Sequence, residues 1–315
     1  MKRALFVLGT LLVVQLLAAL GLGRQGDLLV SRSPQKPLLA EGVAAVDGLV
    51  VTDDEEHRVV LRKVDGKWQL PGYFDAPADG GKVKGLMDAV AKVKLGYPVG
   101  TSEEAAARFK VAEETFSRHV KLMAGDRVVA EFYLGRSAGV DRSYLRPAGE
   151  EAVYLAGLPE WHFPARPQRW LDPALLKPEA GGLSSLAVDG LKLVKQDEEG
   201  WRAEGLAPGE TLKKAGVEKL VSTLAGLRVD AILGTDPDPS WKPDRPVRRL
   251  VLAGEAGEVT WLLLEPEKGD FHVLKSSRHP WYFRLESWNA KPLLDASTRE
   301  ALVEKAEATA PADES

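Results

Sequence analysis

The chain carries one hydrophobic pattern twice, and this repeat limits the folds that it can form. In each copy, apolar residues recur at offsets 0, 3, 4, 7 and 10, which is the spacing of one face of an amphipathic helix. These residues are Val83, Leu86, Met87, Val90 and Val93 in the first copy, and Val217, Leu220, Val221, Leu224 and Leu227 in the second. The spacing therefore predicts one equivalent helix in each copy.

Strand patterns surround both predicted helices in the same order. Each copy has two strand-like stretches and a tryptophan that begins a short strand before the helix, and a two-stranded pattern after it. In the first copy these are 48–52, 58–64 and Trp68, then 119–124 with 127–134; in the second they are 186–188, 191–195 and Trp201, then 248–253 with 258–264. The order of elements predicts that the chain contains two copies of one unit.

Each copy ends with a tryptophan that is followed, after four residues, by two leucines. The tryptophans are Trp170 and Trp288. A large aromatic residue that recurs at one position of a repeat favours a shared place in the core. We therefore expect Trp170 and Trp288, like Trp68 and Trp201, to be buried in equivalent positions.

Runs of strands with one main helix per copy indicate an α+β fold. We expect two tandem α+β repeats, at residues 43–178 and 183–308, each a mainly antiparallel sheet that is covered by its amphipathic helix. A last helix is predicted over 297–308, within the second repeat. A flexible acidic tail is expected over 309–315.

The first 23 residues predict a membrane anchor. Residues 4–23 carry no formal charge, and a helix of that length spans about 30 Å, the thickness of the hydrocarbon core. Their leucine, valine and phenylalanine side chains favour insertion by about 4 to 7 kcal/mol. Residues 24–42 would then link this transmembrane helix to the first repeat.

The charges beside this segment predict its orientation. Lys2 and Arg3 precede it and only Arg24 follows closely, so the positive-inside rule places the N-terminus in the cytoplasm. We expect a single-pass protein of the cytoplasmic (inner) membrane, with the bulk of the chain on the extracytoplasmic, periplasmic side. A cleaved signal peptide is the alternative, because Ala19 and Gly21 offer a small-x-small cleavage site.

Charge and composition bear on the possible partners and cofactors. The chain has 42 Lys and Arg against 46 Asp and Glu, and the basic residues are scattered, which does not fit nucleic-acid binding. There is no cysteine, so the chain has no disulfide, thiolate metal site or cysteine nucleophile. It also lacks a P-loop and a dinucleotide-binding fingerprint. We therefore expect no cofactor and no nucleic-acid partner.

One short string matches a hydrolase motif. Residues 135–139 read Gly-Arg-Ser-Ala-Gly and fit the nucleophile-elbow pattern around Ser137. That elbow requires a strand before the serine and a helix after it, whereas the pattern over 140–147 predicts another strand. The string favours a glycine-rich loop between strands, and a hydrolase centred on Ser137 stays as a minor hypothesis.

Acidic residues and histidines do not form a recognisable metal site. Four acidic residues, Asp53 to Glu56, precede His57, but adjacent carboxylates on a short loop point apart and favour a solvated turn. Asp236 and Asp238 alternate with prolines, which is typical of an exposed connection. The five histidines, which are His57, His119, His162, His272 and His279, lack the i, i+4 spacing of a helical metal pair. A site distributed over distant residues is left open.

Eight tryptophans also permit sugar recognition. The repeat does not constrain Trp161, Trp241, Trp261 and Trp281, and exposed aromatic rings can stack on saccharides. An envelope saccharide- or peptide-binding module is therefore the alternative function.

Several strings together are similar to a known family. The N-terminal anchor, Gly66-Lys67-Trp68-Gln69-Leu70, the amphipathic helix, Tyr144-Leu145-Arg146 and Val153-Tyr154-Leu155 before Trp170 resemble the bacterial domain-of-unknown-function family four-three-four-zero. The resemblance covers nearly the whole chain beyond the anchor.

Members of this family are often encoded beside gliding-motility-type ABC transporter components, which include an auxiliary extracytoplasmic subunit. The resemblance thus implies a non-enzymatic accessory subunit that binds other subunits of an ABC-type membrane complex. The family offers no catalytic motif to carry over, so no catalytic, cofactor-binding, metal-binding or partner-binding residue is assigned from it.

Overall fold

A computed structural model describes residues 36–39, 42–177, 182–196, 200–255 and 257–305, together with Gln15. These residues form a mixed α+β structure of mostly antiparallel sheets with few helices, which confirms the predicted fold class. The predicted anchor (except Gln15) and the acidic tail lie outside the described residues. Within the described ranges, no helix is long and apolar enough to span a membrane.

Twenty strands and five α-helices follow one another along these ranges. The strands are β1 (Lys36–Pro37), β2 (Gly48–Asp53), β3 (Arg58–Val64), β4 (Lys67–Leu70), β5 (Ala76–Pro77), β6 (Lys94–Leu95), β7 (Arg118–Ala124), β8 (Arg127–Ser137), β9 (Ser143–Pro147), β10 (Tyr154–Ala156), β11 (Ser185–Val188), β12 (Leu191–Gln196), β13 (Gly200–Glu204), β14 (Glu210–Leu212), β15 (Ala231–Gly234), β16 (Arg248–Gly254), β17 (Gly257–Leu264), β18 (Phe271–Ser276), β19 (Tyr282–Glu286) and β20 (Val303–Lys305). The helices are α1 (Gly80–Lys92), α2 (Glu103–Arg108), α3 (Lys214–Gly226), α4 (Ser287–Ala296) and α5 (Arg299–Leu302).

The described residues divide into two compact units, of which the first comprises residues 36–39, 42–63 and 81–166. Its strands lie in the order β3-β2-β7-β8-β9-β10, each antiparallel to its neighbour. Alternate side chains point to the inner face, because successive residues of a strand face opposite sides. The buried inner-face side chains include Leu49, Leu61, Val120, Leu122, Phe132 and Leu145, and helix α1 buries Val83, Leu86, Met87 and Val90.

The second unit comprises residues 64–80 and the described residues from 167 to 305. Its main sheet has the strand order β13-β12-β11-β16-β17-β18-β19-β15. Six of these strands, from β12 to β19 in that order, follow the same sequence of neighbours as the six strands of the first unit. Helix α3 packs against α4 and buries Val217, Leu220 and Leu224. The core of the sheet includes Leu186, Leu193, Leu250, Trp261, Leu263 and Phe283.

The repeated helix spacing is confirmed. Helices α1 and α3 each have 13 residues and bury the faces that the sequence pattern predicts. The strand pairs β7–β8 and β16–β17 also confirm the predicted two-stranded patterns. Periodicity alone was therefore sufficient to locate these elements.

The boundaries of the two structural units differ from the boundaries of the two sequence copies. Residues 64–80 and 167–177, which the repeat pattern placed in the first copy, cluster with the second unit. Backbone hydrogen bonds join these two segments: Asp79 N donates to Trp170 O at 2.8 Å, and Asp172 N donates to Pro77 O at 3.0 Å. Both segments belong to one unit because these hydrogen bonds hold them together, although they are far apart in sequence.

The prediction of a last helix over 297–308 is wrong. Helix α4 ends at Ala296, the short helix α5 follows, and residues 303–305 form β20, which pairs with β14. Thr298 begins α5 because its side chain accepts a hydrogen bond from Ala301 N at 3.2 Å. Val303 is buried against the unit, so tertiary packing outweighs the helical tendency of this alanine- and glutamate-rich segment. Residues 306–308 lie outside the described ranges.

The expected core role of Trp288 is also wrong. Trp170 is fully buried, whereas Trp288 is 71% exposed. Trp288 lies in the first turn of α4, whose buried side chains are Asn289, Ala290, Leu293 and Ala296, so its indole points away from the core. Trp68 on β4 and Trp201 on β13 resemble each other, but both are only partly buried and neither belongs to the core.

Candidate partner-binding surface

The hydrolase-like string forms a hairpin loop in the first unit. Strand β8 ends at Ser137 and strand β9 begins at Ser143, so a strand follows the serine where an elbow requires a helix. The Ser137 hydroxyl donates a hydrogen bond to Gly139 O at 2.5 Å. This arrangement agrees with the glycine-rich loop that the sequence favoured and does not present the serine as an elbow nucleophile.

Gly135 has a packing role in this string. A Cβ at position 135 would lie 1.9 Å from Phe109 O, so no other residue fits without displacing the backbone. The neighbouring Arg136 N donates to Phe109 O at 3.0 Å. The glycine therefore lets the segment around Phe109 cross the outer face of β8 closely.

This close crossing supports an aromatic stack. The rings of Phe109 and Tyr144 lie 3.9 Å apart at an interplanar angle of 15°. The guanidinium of Arg108 lies 4.6 Å from the centre of the Phe109 ring, which is cation–π geometry. All three side chains therefore form one layered group on the outer face of the sheet.

Helix α2 delivers Arg108 and Phe109 to this stack. Ser102 caps the helix by accepting a hydrogen bond from Ala105 N at 3.2 Å, and Glu103 and Glu104 follow in the first turn. Ser-Glu-Glu is a recognisable helix start, because a capping hydroxyl and acidic residues both stabilise the N-terminal turn. The sequence analysis did not predict this helix, although the Ser-Glu-Glu string is present.

Exposed apolar side chains continue from the stack along β10. Leu155 pairs with Tyr144 in the sheet and is 36% exposed. Beside β10, Val99 N donates to Val153 O at 2.7 Å, and the side chains of Val99 and Tyr97 are 42% and 62% exposed. We call the five residues Tyr97, Val99, Phe109, Tyr144 and Leu155 the β10 patch.

The buried Arg146 side chain holds two loops next to the β10 patch through hydrogen bonds. Arg146 is 8% exposed, and its Nε donates to Val111 O at 2.6 Å while Nη1 donates to Glu150 O at 2.9 Å. Its guanidinium also lies 4.8 Å from the centre of the Tyr133 ring. These bonds hold the loop after α2 and the loop after β9 in place, so the patch has a fixed support.

The chemistry of the β10 patch fits contact with another macromolecule. Contiguous exposed apolar groups mark interaction surfaces more often than single exposed residues do. Tyrosine, phenylalanine and arginine are enriched in the cores of protein–protein interfaces. The patch combines tyrosine and phenylalanine with aliphatic side chains, and Arg108 lies beside it over the Phe109 ring.

A second exposed feature of the first unit lies where β8 ends and β9 begins. Val140, in the loop between these strands, is 85% exposed, and Trp161 is 64% exposed. Glu160 N donates to the Ser143 hydroxyl at 3.1 Å, which places Trp161 beside the start of β9. We call Val140, Trp161 and the exposed Arg136, Asp141 and Arg142 the tip.

The acidic run next to His57 forms a solvated turn, as the sequence favoured. The Asp53 carboxylate accepts hydrogen bonds from Glu55 N at 3.1 Å and from His57 N at 2.9 Å. Its Oδ1 is thus used by the backbone of the turn between β2 and β3. Asp238 has a similar role, because it accepts a hydrogen bond from Ser240 N at 2.8 Å.

The histidines have separate surroundings. His119 Nε2 lies 2.7 Å from a Glu131 carboxylate oxygen that also contacts Lys121, whereas His279 Nε2 donates to Leu175 O at 2.9 Å. Burial lowers the pKa of His162 and of His279. In the part of the chain that the structure describes, no three or more histidine, aspartate and glutamate side chains are grouped to hold a metal ion.

A small groove in the second unit lies over β16, β17 and β18. Leu252, Val259, Trp261 and Arg278 contribute to its walls, and its volume is about 30 Å³. Ligand pockets for small molecules commonly measure about 300–1,000 Å³. The groove has room for water rather than for a sugar or a peptide side chain, so it does not provide an enclosed ligand site.

The comparison with protein families identifies one of them. A family model described as "Domain of unknown function (DUF4340)" matches residues 68–246, which is more than half of the chain. The chain belongs to the DUF4340 family. The match begins inside β4 and includes helices α1 to α3 and strands β5 to β15, and the whole β10 patch lies inside it. Comparisons with the curated proteins and with the solved structures give no match.

Proposed function

We propose that this DUF4340 protein is a membrane-anchored extracytoplasmic accessory subunit of an ABC-type transport or gliding-motility-like complex. It acts by binding partner subunits and not by catalysis. The observation that carries the binding role is the β10 patch, in which the exposed side chains of Tyr97, Val99 and Leu155 accompany the partly buried stack of Phe109 and Tyr144. The uncharged segment 4–23 supports the membrane attachment, and the family resemblance supports the kind of complex.

We further propose that the two units arose from tandem duplication. Six strands follow one order in both units, and the two main helices share their apolar spacing. Duplicated units keep core positions more readily than surfaces, so a surface found in only one unit points to a specialised role.

The equivalent position in the second unit lacks this surface. Leu145 pairs with Leu134 in the first unit as Leu274 pairs with Leu263 in the second, so Tyr144 corresponds to Val273. Tyr144 is only partly buried, whereas Val273 is fully buried. The β10 patch is therefore a feature of the first unit and does not follow from the shared fold.

The proposal is tested by isolating the protein with its partners. The full-length tagged chain is crosslinked in cells, solubilised mildly, and isolated for identification of the attached proteins by mass spectrometry. We expect ABC permease and ATPase subunits, and we expect Leu155→Glu to lower their recovery about tenfold, because a buried charge at an interface costs at least 1.4 kcal/mol. The matched control is Val128→Glu, since Val128 is also a half-exposed strand residue (42%) but lies at the far end of β8.

Two results would reject the accessory role. One is recovery of the chain alone or only with cell-wall material. The other is an equal loss of partners in both variants, measured at equal thermal stability, because it would separate partner binding from the β10 patch.

The alternative is an envelope saccharide- or peptide-binding module. The exposed rings of Tyr97 and Trp161 favour it, because aromatic faces stack on sugars. Ligand-dependent tryptophan fluorescence would reveal such binding across glycans and peptides. No change over a broad panel would exclude this alternative and leave the accessory role.

A further inference from the structure

We propose that the tip of the first unit docks on a lipid surface. In this arrangement Val140 and Trp161 enter the headgroup region, and Arg136 and Arg142 contact anionic lipid phosphates. The inference rests on the proposed function in one respect, since it requires the segment 4–23 to hold the chain at a membrane.

The loop at the tip holds Val140 outward. Ala138 N donates to Arg142 O at 2.7 Å and closes the loop, while the Ser137 hydroxyl donates to Gly139 O at 2.5 Å. Val140 lies between these bonds and is 85% exposed. An aliphatic side chain fixed in this position presents apolar surface to the solvent at a protruding turn.

Trp161 is fixed beside this loop. Its turn is closed by Phe163 N, which donates to Glu160 O at 3.0 Å, and Glu160 N is bonded to Ser143. The indole contacts the His162 ring edge-on, with the ring centres 4.0 Å apart, and remains 64% exposed. Tryptophan is the residue type most typical of membrane interfaces, because its ring is amphipathic.

The charge of the tip complements an anionic membrane. The chain as a whole has a formal net charge of -4, but the exposed ionic residues of the tip are Arg136 and Arg142 against Asp141, and Glu160 beside Trp161 is partly buried. Basic residues beside exposed aliphatic and tryptophan side chains are typical of proteins that bind the membrane interface.

The chain length also places the first unit near the proposed anchor. Lys36, in β1, is joined to Glu150 of the same unit through an ion pair of 2.5 Å. Residues 24–35 connect it to the apolar segment, and twelve residues span at most about 40 Å when fully extended. The first unit is therefore tethered within reach of the membrane surface.

The test uses the absence of cysteine from the chain. Full-length Val140→Cys protein is labelled with an environment-sensitive nitrobenzoxadiazole dye and reconstituted into vesicles of phosphatidylcholine, with or without phosphatidylglycerol. The control is Val128→Cys, which is on the same strand pair but about 30 Å away along β8. Flotation of the vesicles reports attachment of the chain independently of the dye.

We expect the dye at position 140 to shift its emission to the blue and to be quenched by nitroxide-labelled lipids several-fold more than the dye at position 128. The effect should be larger with phosphatidylglycerol, and Arg136→Gln with Arg142→Gln should remove that difference. Because no other protein is present, lipid quenching identifies the lipid as the contact.

The other outcomes overturn the inference in distinguishable ways. If the protein floats but the dye at position 140 stays in an aqueous environment, the tip does not dock, and the anchor and the accessory role are unaffected. A blue shift that depends on protein density and resists lipid quenching shows contact between copies of the chain instead. If the protein does not float, both the anchor and the docking are rejected.

Discussion

The hydroxyl of Tyr73 donates a hydrogen bond to Ile232 O at 3.1 Å and accepts one from Ile232 N at 2.8 Å. One side chain thus satisfies both backbone groups of a residue in β15, the last strand of the second unit's main sheet. Burial raises the pKa of Tyr73, so the hydroxyl is neutral and keeps its proton for this contact. The two hydrogen bonds join the segment 64–80 to strand β15 within the second unit.

Removing this hydroxyl should destabilise the protein. Tyr73→Phe leaves an N–H and a C=O of Ile232 without a partner, and we expect the free energy of unfolding to fall by about 1–3 kcal/mol. Urea unfolding monitored by circular dichroism measures it. Tyr97→Phe is the control, because Tyr97 is 62% exposed and should leave stability unchanged. Equal effects of the two variants would contradict this account.

Two helical glycines should respond in opposite directions to alanine. A Cβ at Gly85 in α1 meets nothing within 4 Å, so Gly85→Ala should stabilise the helix by about 0.5–1 kcal/mol. A Cβ at Gly216 in α3 would lie 2.0 Å from Ala301 O, so Gly216→Ala should destabilise by about 1–3 kcal/mol. Thermal unfolding of both variants gives the sign, and stabilisation by Gly216→Ala would show that α5 does not approach α3 closely.

The hydrolase-like string should be sensitive at its glycine and insensitive at its serine. Gly135→Ala would push the backbone of Phe109 away from β8, and we expect a loss of about 1–3 kcal/mol. Ser137→Ala removes an exposed hydroxyl and its solvent-accessible hydrogen bond to Gly139 O, and it should change the free energy of unfolding by less than about 0.5 kcal/mol. Chemical denaturation measures both. A serine-reactive probe that labels position 137 would instead revive the hydrolase hypothesis.

His279 should make folding weaker in mild acid. Nε2 must carry hydrogen, because its partner Leu175 O only accepts, and burial lowers the pKa of His279 below its ordinary 6.5. The unfolded chain then binds more protons than the folded chain below about pH 6.5, so stability is complete above that pH and declines as the pH falls towards the folded pKa.

His279→Gln keeps a donor for Leu175 O and removes the titrating group. We expect it to reduce the loss of unfolding free energy between about pH 7.5 and pH 5.5. His162→Gln is a useful companion, since burial also lowers the pKa of His162 and its contribution has the same sign. An unchanged pH dependence in both variants would show that these rings are protonated equally in the folded and unfolded chains.

Local pattern was sufficient for much of the fold. The apolar spacing of Val83 to Val90 and of Val217 to Leu224 predicts α1 and α3 because a helix buries one face regardless of its partners. Turn residues such as Gly125 and Asp126 likewise predict the β7–β8 hairpin. These features depend on residues that are close in sequence, so a single sequence is sufficient to predict them.

Features that depend on distant contacts could not be predicted in this way. Trp170 and Trp288 share a sequence position in the repeat, but Trp288 is exposed because its helix packs on the unit through Asn289, Ala290, Leu293 and Ala296. The bond between Tyr73 and Ile232 joins residues 159 positions apart, and no local signal marks it. The β10 patch likewise combines α2, β9 and β10, so its residues become neighbours only in the folded unit.

The most direct test of the accessory role is site-specific photo-crosslinking of the full-length protein in cells. A photoreactive amino acid replaces Leu155 in the β10 patch or Val128 at the far end of β8, and the crosslinked partners are identified by mass spectrometry. We predict crosslinks to permease or ATPase-associated subunits of an ABC-type complex from position 155 and none of these from position 128. Equal crosslinking from both positions, or crosslinks only to cell-wall material, would contradict it.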